Sequence, residues 1–162
     1  MTEMEKRMHR VCFTGHRPEK LTRSESAIKK DLEKEIRQAA ADGLNVFITG
    51  MARGVDIWAA QIVLTLRSEG NDVKLICASP YSGFESGWSR EWQRQYKELL
   101  SAADFVKYVC EGYGRACFQI RNEWMVNHSA RVIAVFNGEK SGTKNTIDYA
   151  VKIAVPVVRI EG

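Results

Sequence analysis

Apolar and polar positions follow two different rhythms along the chain. Six short runs rich in β-branched or aromatic residues, Val11–Thr14, Val46–Thr49, Val73–Cys77, Phe105–Val109, Val132–Phe136 and Val155–Ile160, punctuate it. Several, notably Val132 to Phe136, are apolar at consecutive positions, which is what a strand buried on both faces of a parallel sheet requires. Between the runs the rhythm lengthens. Ile28, Leu32, Ile36 and Ala39/Ala40 recur at every third or fourth position, opposite Lys29, Lys30, Glu33, Lys34 and Arg37. That spacing predicts an amphipathic helix, and Gly43 supplies its stop. Val55, Ala59, Ile62/Val63 and Leu66 repeat the pattern before Gly70, and further helices fit Glu91–Leu100, Phe118–His128 and Thr143–Ile153. Strand and helix alternating in this way predict right-handed βαβ crossovers. The expected fold class is α/β: a Rossmann-like, doubly wound, mainly parallel sheet flanked by helices on both faces, one domain over residues 1–162. Pro156 lacks a backbone donor and places the last strand at a sheet edge. Met1–Arg10 reads as a frayed lead-in.

Composition narrows the function. The chain has 162 residues, 44% hydrophobic and 27% charged, which suits one domain with a sizeable core. No apolar run approaches the roughly 20 residues of a membrane span, and the expected location is the cytoplasm. Cys12, Cys77, Cys110 and Cys117 show neither CxxC nor Cys/His ligand spacing, so free thiols and no metal site are expected. A net charge of +4 is too mild to call for nucleic acid, which is not an expected partner.

In open α/β sheets ligands bind outside the carboxyl ends of the strands. Three loops there are unusual: Thr14–Pro18, Thr49–Asp56 and Asn137–Thr146. Gly50 and Gly54 bracket a strand-to-helix turn, where glycine permits positive φ and close ligand approach, and the following helix N-terminus offers free N–H groups to a phosphate. Ser141-Gly142-Thr143 repeats this chemistry. Either loop alone fits ordinary turns and caps equally well; the two together, with Arg17 and Arg53, favour an anionic ligand. The chain contains neither a GxGxxG fingerprint nor a GxxxxGK[ST] P-loop. His16, Arg17, Lys20, Arg23, Arg53, Arg115, Lys140 and Lys144 fall in or beside these loops and concentrate charge there. Arg121 shares a helix face with Phe118, Trp124 and Met125 and needs a carboxylate or phosphate partner, internal or ligand. Asp56 is placed either to accept from ribose hydroxyls or to neutralise Arg53. Trp88, Trp92 and Tyr96 read first as the packing face of a helix, while Tyr81, Phe84 and Trp88 could stack on a base. His16 has no evident partner for acid–base work.

The segments VCFTGHRPEKL, FITGMARGVDIWAAQ, FQIRNEWMV and AVFNGEKSGTKNTIDYA resemble the YpsA-like family of the SLOG superfamily, which also holds the DNA-processing protein DprA and the LOG cytokinin-activating enzymes. The resemblance covers almost the whole chain. It implies a Rossmann-like fold that binds a nucleotide-derived ligand, of the ADP-ribose or NAD kind, with no other cofactor required. The binding residues it points to are Gly15, His16, Arg17, Gly50, Met51, Arg53, Gly54, Asp56, Arg121, Asn122, Gly138, Ser141, Gly142, Thr143 and Thr146. LOG enzymes cleave nucleoside monophosphates with a helix arginine and the glutamate of a PGGxGTxxE motif. Arg121 resembles that arginine and is the catalytic candidate, to act with a carboxylate not yet identified, of which Glu123 is one choice. Thr146 stands where the glutamate would be, and a hydroxyl cannot take over a carboxylate's work. Asp148 lies about 200° around the helix from it. The resemblance therefore implies first a cytoplasmic nucleotide sensor or regulatory module, with a LOG-like phosphoribohydrolase as the alternative and DprA-like single-stranded DNA binding as a weaker one. Output from so small a chain would pass through a protein partner or a homo-oligomer. Gly54→Val is expected to abolish binding and leave the fold intact.

Overall fold

Each apolar run becomes a strand. In the computed structural model, which describes residues 1–162, the strands are β1 (Arg10–Gly15), β2 (Val46–Thr49), β3 (Lys74–Ser79), β4 (Phe105–Tyr108), β5 (Arg131–Phe136) and β6 (Val157–Glu161). They form one sheet in the order β4-β3-β2-β1-β5-β6, parallel at every pairing. The helices are α1 (Glu3–Arg7), α2 (Glu25–Ala41), α3 (Val55–Ser68), α4 (Arg90–Ala102), α5 (Cys117–Asn127) and α6 (Gly142–Lys152). This is the Rossmann-like α/β architecture that the patterning predicts.

Because successive strand side chains point to opposite faces, each central strand feeds two cores. Val11 and Phe13 of β1, Phe47 of β2, Leu75 and Cys77 of β3 and Ile133 and Val135 of β5 pack under α2, α3 and α4 with Ile28, Leu32, Ile36, Val63, Leu66, Tyr96 and Leu99. Cys12, Ile48, Ala78, Val132 and Ala134 point the other way, beneath Met125 and Val126 of α5 and Ile147 and Ala150 of α6. Continuous apolar runs are the sequence trace of this double burial. Pro156 immediately precedes β6, which is an edge strand; there the proline acts only as acceptor, from the Val132 N–H at 2.9 Å.

Met1–Arg10 departs from expectation. Thr2 caps α1, accepting from the Glu5 N–H while Glu5 reaches back to the Thr2 N–H, a capping box that stabilises even one short turn. The Arg7 side chain ties the segment to the Ser129 carbonyl at 3.1 Å.

From β1 the chain winds outward through β2, β3 and β4, then returns to β1's other side with β5 and β6. The loops that follow β1 and β5 therefore leave the sheet in opposite senses, and the gap between them is the topological switch point where α/β folds hold ligands.

Candidate functional site

A crevice of about 520 Å³ opens at this switch point. Its floor depends on glycines whose roles are steric. A Cβ on Gly15 would lie 2.5 Å from the Val55 Cβ, so only glycine lets the end of β1 seat against the first turn of α3. Gly54 has φ of 89°, and a Cβ there would lie 2.8 Å from Cδ of Pro18. It turns the chain into α3 while pressed on the β1 loop. Gly54→Val would strain the backbone and collide with Pro18, so the expectation of an intact fold is corrected.

Gly50 lies beneath two buried charges. A Cβ on it would come within 2.9 Å of Asp56 Oδ2 and 3.0 Å of the Arg121 guanidinium. Arg121, 5% exposed, donates from Nη1 to the Gly50 carbonyl and from Nε to Asn122 Oδ1 at 2.8 Å. Its second amino group has no acceptor within the protein. Asp56 is equally buried; Oδ2 accepts from the Ala52 N–H at 3.2 Å, whereas Oδ1 is buried without a partner. Burial pushes the Asp56 carboxyl up to about 6, with the Arg121 charge and the Ala52 N–H pulling the other way. Burial also lowers the Arg121 pKa, opposed by Asp56. For both partners desolvation outweighs their mutual attraction, and Asp56 Oδ1 keeps an unused acceptor. Asp56 does not neutralise Arg53, which pairs with Glu19 at 3.0 Å.

The opposite rim comes from the β5 loop. His16, stacked on Phe136 at 5.7 Å, accepts the Asn137 N–H on Nε2 at 3.1 Å, which leaves the proton of the neutral ring on Nδ1. Burial lowers its pKa. Ser141 spends its hydroxyl capping α6, accepting from the Lys144 N–H at 3.2 Å. Gly142 and Thr143 present the N-terminus of that helix to the crevice. Phe84, Trp88 and Phe118 form an aromatic wall, with centroids 5.1 Å apart for Phe84–Trp88 and 5.8 Å for Phe84–Phe118. Tyr81 packs behind it, and Tyr96 is core, its hydroxyl 2.7 Å from Ser79 Oγ.

Of the residues expected from sequence, Gly15, His16, Arg17, Arg53, Asp56, Arg121, Asn122, Ser141, Gly142 and Thr143 line the crevice. Five do not. Gly50 and Gly54 shape it from beneath, Met51 is fully buried at φ of 66°, Gly138 turns the loop at φ of 89°, and Thr146 is buried with its hydroxyl donating to the Gly142 carbonyl. The cation cluster is also smaller than expected. Arg17, Lys20, Arg53, Arg121 and Lys140 face the cavity; Arg23 binds Asp31 and the Glu161 carbonyl, Lys144 pairs with Asp148 on its own helix, and Arg115 lies outside. Phe118 shares the Arg121 helix face but reads from spacing as packing, and nothing in the spacing of Glu139 marks it; both line the crevice. No three His, Cys, Asp or Glu side chains converge as a metal ligand set.

Sheet order and crevice together define the class: a Rossmann-like α/β protein with a cation- and aromatic-lined cleft at its switch point. The chain matches the model of the YspA SLOG family over residues 11–155 and belongs to that family. It is 36% identical over 118 residues to the uncharacterized SPbeta prophage-derived protein YoqJ of Bacillus subtilis (strain 168), covering 65% of this chain and 69% of that one. It is 29% identical over 150 residues to a UPF0398 protein of Bacillus thuringiensis (strain Al Hakam), covering 88% and 82%. The fold is similar to DNA processing protein A from Helicobacter pylori, with a TM-score of 0.69 and 22% identity over 99% of this chain and 68% of the other. No helix is long and apolar enough to cross a membrane.

Proposed function

We propose that the crevice binds a nucleotide-derived ligand of the ADP-ribose or NAD kind, and that the protein serves in the bacterial cytoplasm as a sensor or regulatory module for it. The observation that carries this reading is that one 520 Å³ cavity is lined both by cations with a helix N-terminus and by an aromatic wall. Arg17, Lys20, Arg121, Lys140 and the N-terminus of α6 offer charge-assisted donors, while Phe84, Trp88 and Phe118 offer a stacking surface. The volume lies within the roughly 300–1,000 Å³ usual for small-molecule sites. Thermal-shift and calorimetric titration with ADP-ribose, NAD, AMP and cyclic dinucleotides test it. A ligand present at a hundred times its Kd raises stability by about 2.7 kcal/mol, and an unmoved midpoint across the series would sink the proposal.

One observation favours a second reading, hydrolysis of an N-glycosidic bond. Asp56 is a carboxylate beside Arg121, with an unpartnered oxygen and a pKa raised to about 6, close to what a general base at neutral pH needs. Release of free base from nucleoside monophosphates, lost in Asp56→Asn, would establish it. DNA processing protein A of H. pylori binds single-stranded DNA. If this chain did so in the same crevice, binding to an oligonucleotide would weaken steeply with salt.

A further inference from the structure

We propose that Cys110 and Cys117 are a redox pair, closed into a disulfide by a peroxide and reopened by a dithiol, and that closure resets the first turn of α5. All four cysteines are free, but they fall into two groups. Cys12 and Cys77 are buried in the two cores on opposite sides of the sheet. Cys110 and Cys117 flank the loop from β4 to α5, and both are bound to a single atom. The Pro80 carbonyl oxygen accepts the Cys110 backbone N–H at 2.8 Å and the Cys117 thiol at 3.1 Å. The Cys117 sulfur is thereby held close to the Cys110 backbone, and burial followed by the adjoining Cys110 thiol pushes the Cys117 thiol up to about 11. Their intervening loop contains Gly112 and Gly114, both with open space around them and neither in a helix or strand, so Cys110 can move toward Cys117 at the start of α5 without dragging β4.

The two thiols have different access. Cys110 is half-buried and open to a small oxidant, whereas Cys117 is 2% exposed. The Cys110 thiolate attacks the O–O bond of a peroxide, becoming a sulfenic acid and releasing hydroxide. The Cys117 sulfur then attacks the sulfenic sulfur, the S–S bond forms, and its proton leaves with the hydroxyl as water. For hydrogen peroxide, two thiols lose two protons and two electrons and the oxidant becomes two waters. The Cys117 S–H is consumed, so the Pro80 carbonyl loses that donor. Cys117 is the first residue of α5, Phe118 follows it, and Arg121 lies one turn on; the bond is thus made at the helix end that carries the aromatic wall and the buried guanidinium.

Peptide mapping of the full-length protein after mild hydrogen peroxide tests the chemistry. Expected is an intramolecular Cys110–Cys117 cross-link, two hydrogens lighter and reversed by dithiothreitol, with Cys12 and Cys77 still thiols. Cys117→Ser should strand Cys110 as a sulfenic acid that dimedone labels, and Cys110→Ser should give no cross-link. Amide exchange in the first turn of α5 should change on oxidation of the wild type but not of Cys110→Ser. Cys110 over-oxidised beside a free Cys117, cross-links only between chains, or unchanged exchange in α5 would each overturn the proposal. None of these readouts depends on the identity of the crevice ligand.

Discussion

At the scale of single residues, the buried Asp56–Arg121 neighbourhood governs how the protein responds to pH. Asp56 has a folded pKa raised from 3.8 to about 6, so its contribution favours the fold at low pH and is lost as pH rises through about 6. A shift of that size corresponds to roughly 3 kcal/mol. Urea melts of wild type and Asp56→Asn should therefore diverge between pH 4 and pH 7, the variant gaining stability relative to the wild type by up to that amount. A constant difference would mean that the carboxyl is not desolvated. His16 acts with the opposite sign: its folded pKa is lowered, so its contribution is present above the ordinary histidine range and fades as pH falls through it. Glycines at the crevice separate packing from binding. Gly15→Ala drives a methyl into Val55 and should cost about 1–3 kcal/mol in a denaturant melt. Gly142→Ala meets nothing within 4 Å, lines the crevice and sits at a helix start. It should leave stability unchanged or slightly raised while weakening ligand binding, and equal affinity would place the ligand away from α6.

Among the elements, the caps discriminate between structure that the core holds and structure that stands alone. Ser24 caps α2, accepting from the Ala27 N–H, and α2 buries Ile28, Leu32, Ile36 and Ala39. Ser24→Ala should lower global stability by about 1 kcal/mol. Thr2 caps α1, which buries nothing. Thr2→Ala should unravel α1, seen as faster amide exchange at residues 5–8, and leave the global melting midpoint where it was. A fall in the midpoint would show that α1 is part of the cooperative unit. The same contrast explains which helices were legible from spacing. α2 and α3 bury a stripe against the sheet, and their apolar period shows. α1 is built from local hydrogen bonds, and its only sign is the Thr2-x-x-Glu5 box.

For the whole molecule, the crevice follows from topology. A sheet ordered β4-β3-β2-β1-β5-β6 must part its loops beside β1, and everything that lines the cavity is delivered there by β1, α3, α5, the start of α6 and the loops after β1, β2, β3 and β5. The net charge of +4 is realised locally as five cations facing one cavity against Asp56 and Glu139. That imbalance predicts a screened attraction for anions. Affinity for a phosphorylated ligand should fall as ionic strength rises, though less steeply than for an extended nucleic-acid contact, because the buried Arg121 is poorly screened.

Strand positions, the parallel sheet and the three chemistry-bearing loops follow from the amino-acid sequence alone, because burial on both faces forces continuous apolar runs and turns at a strand's carboxyl end force glycine. Partnerships did not follow. Whether Asp56 faces Arg53 or Arg121, whether Thr146 opens to the cavity or bonds the Gly142 carbonyl, and that Pro80 gathers Cys110 and Cys117 all depend on contacts between residues far apart in the chain. Such contacts leave no period in a sequence. Only the packing of helices on the sheet chooses among side chains that spacing leaves equivalent, and that choice turned a list of cations and glycines into one cavity lined by charge and by aromatic rings.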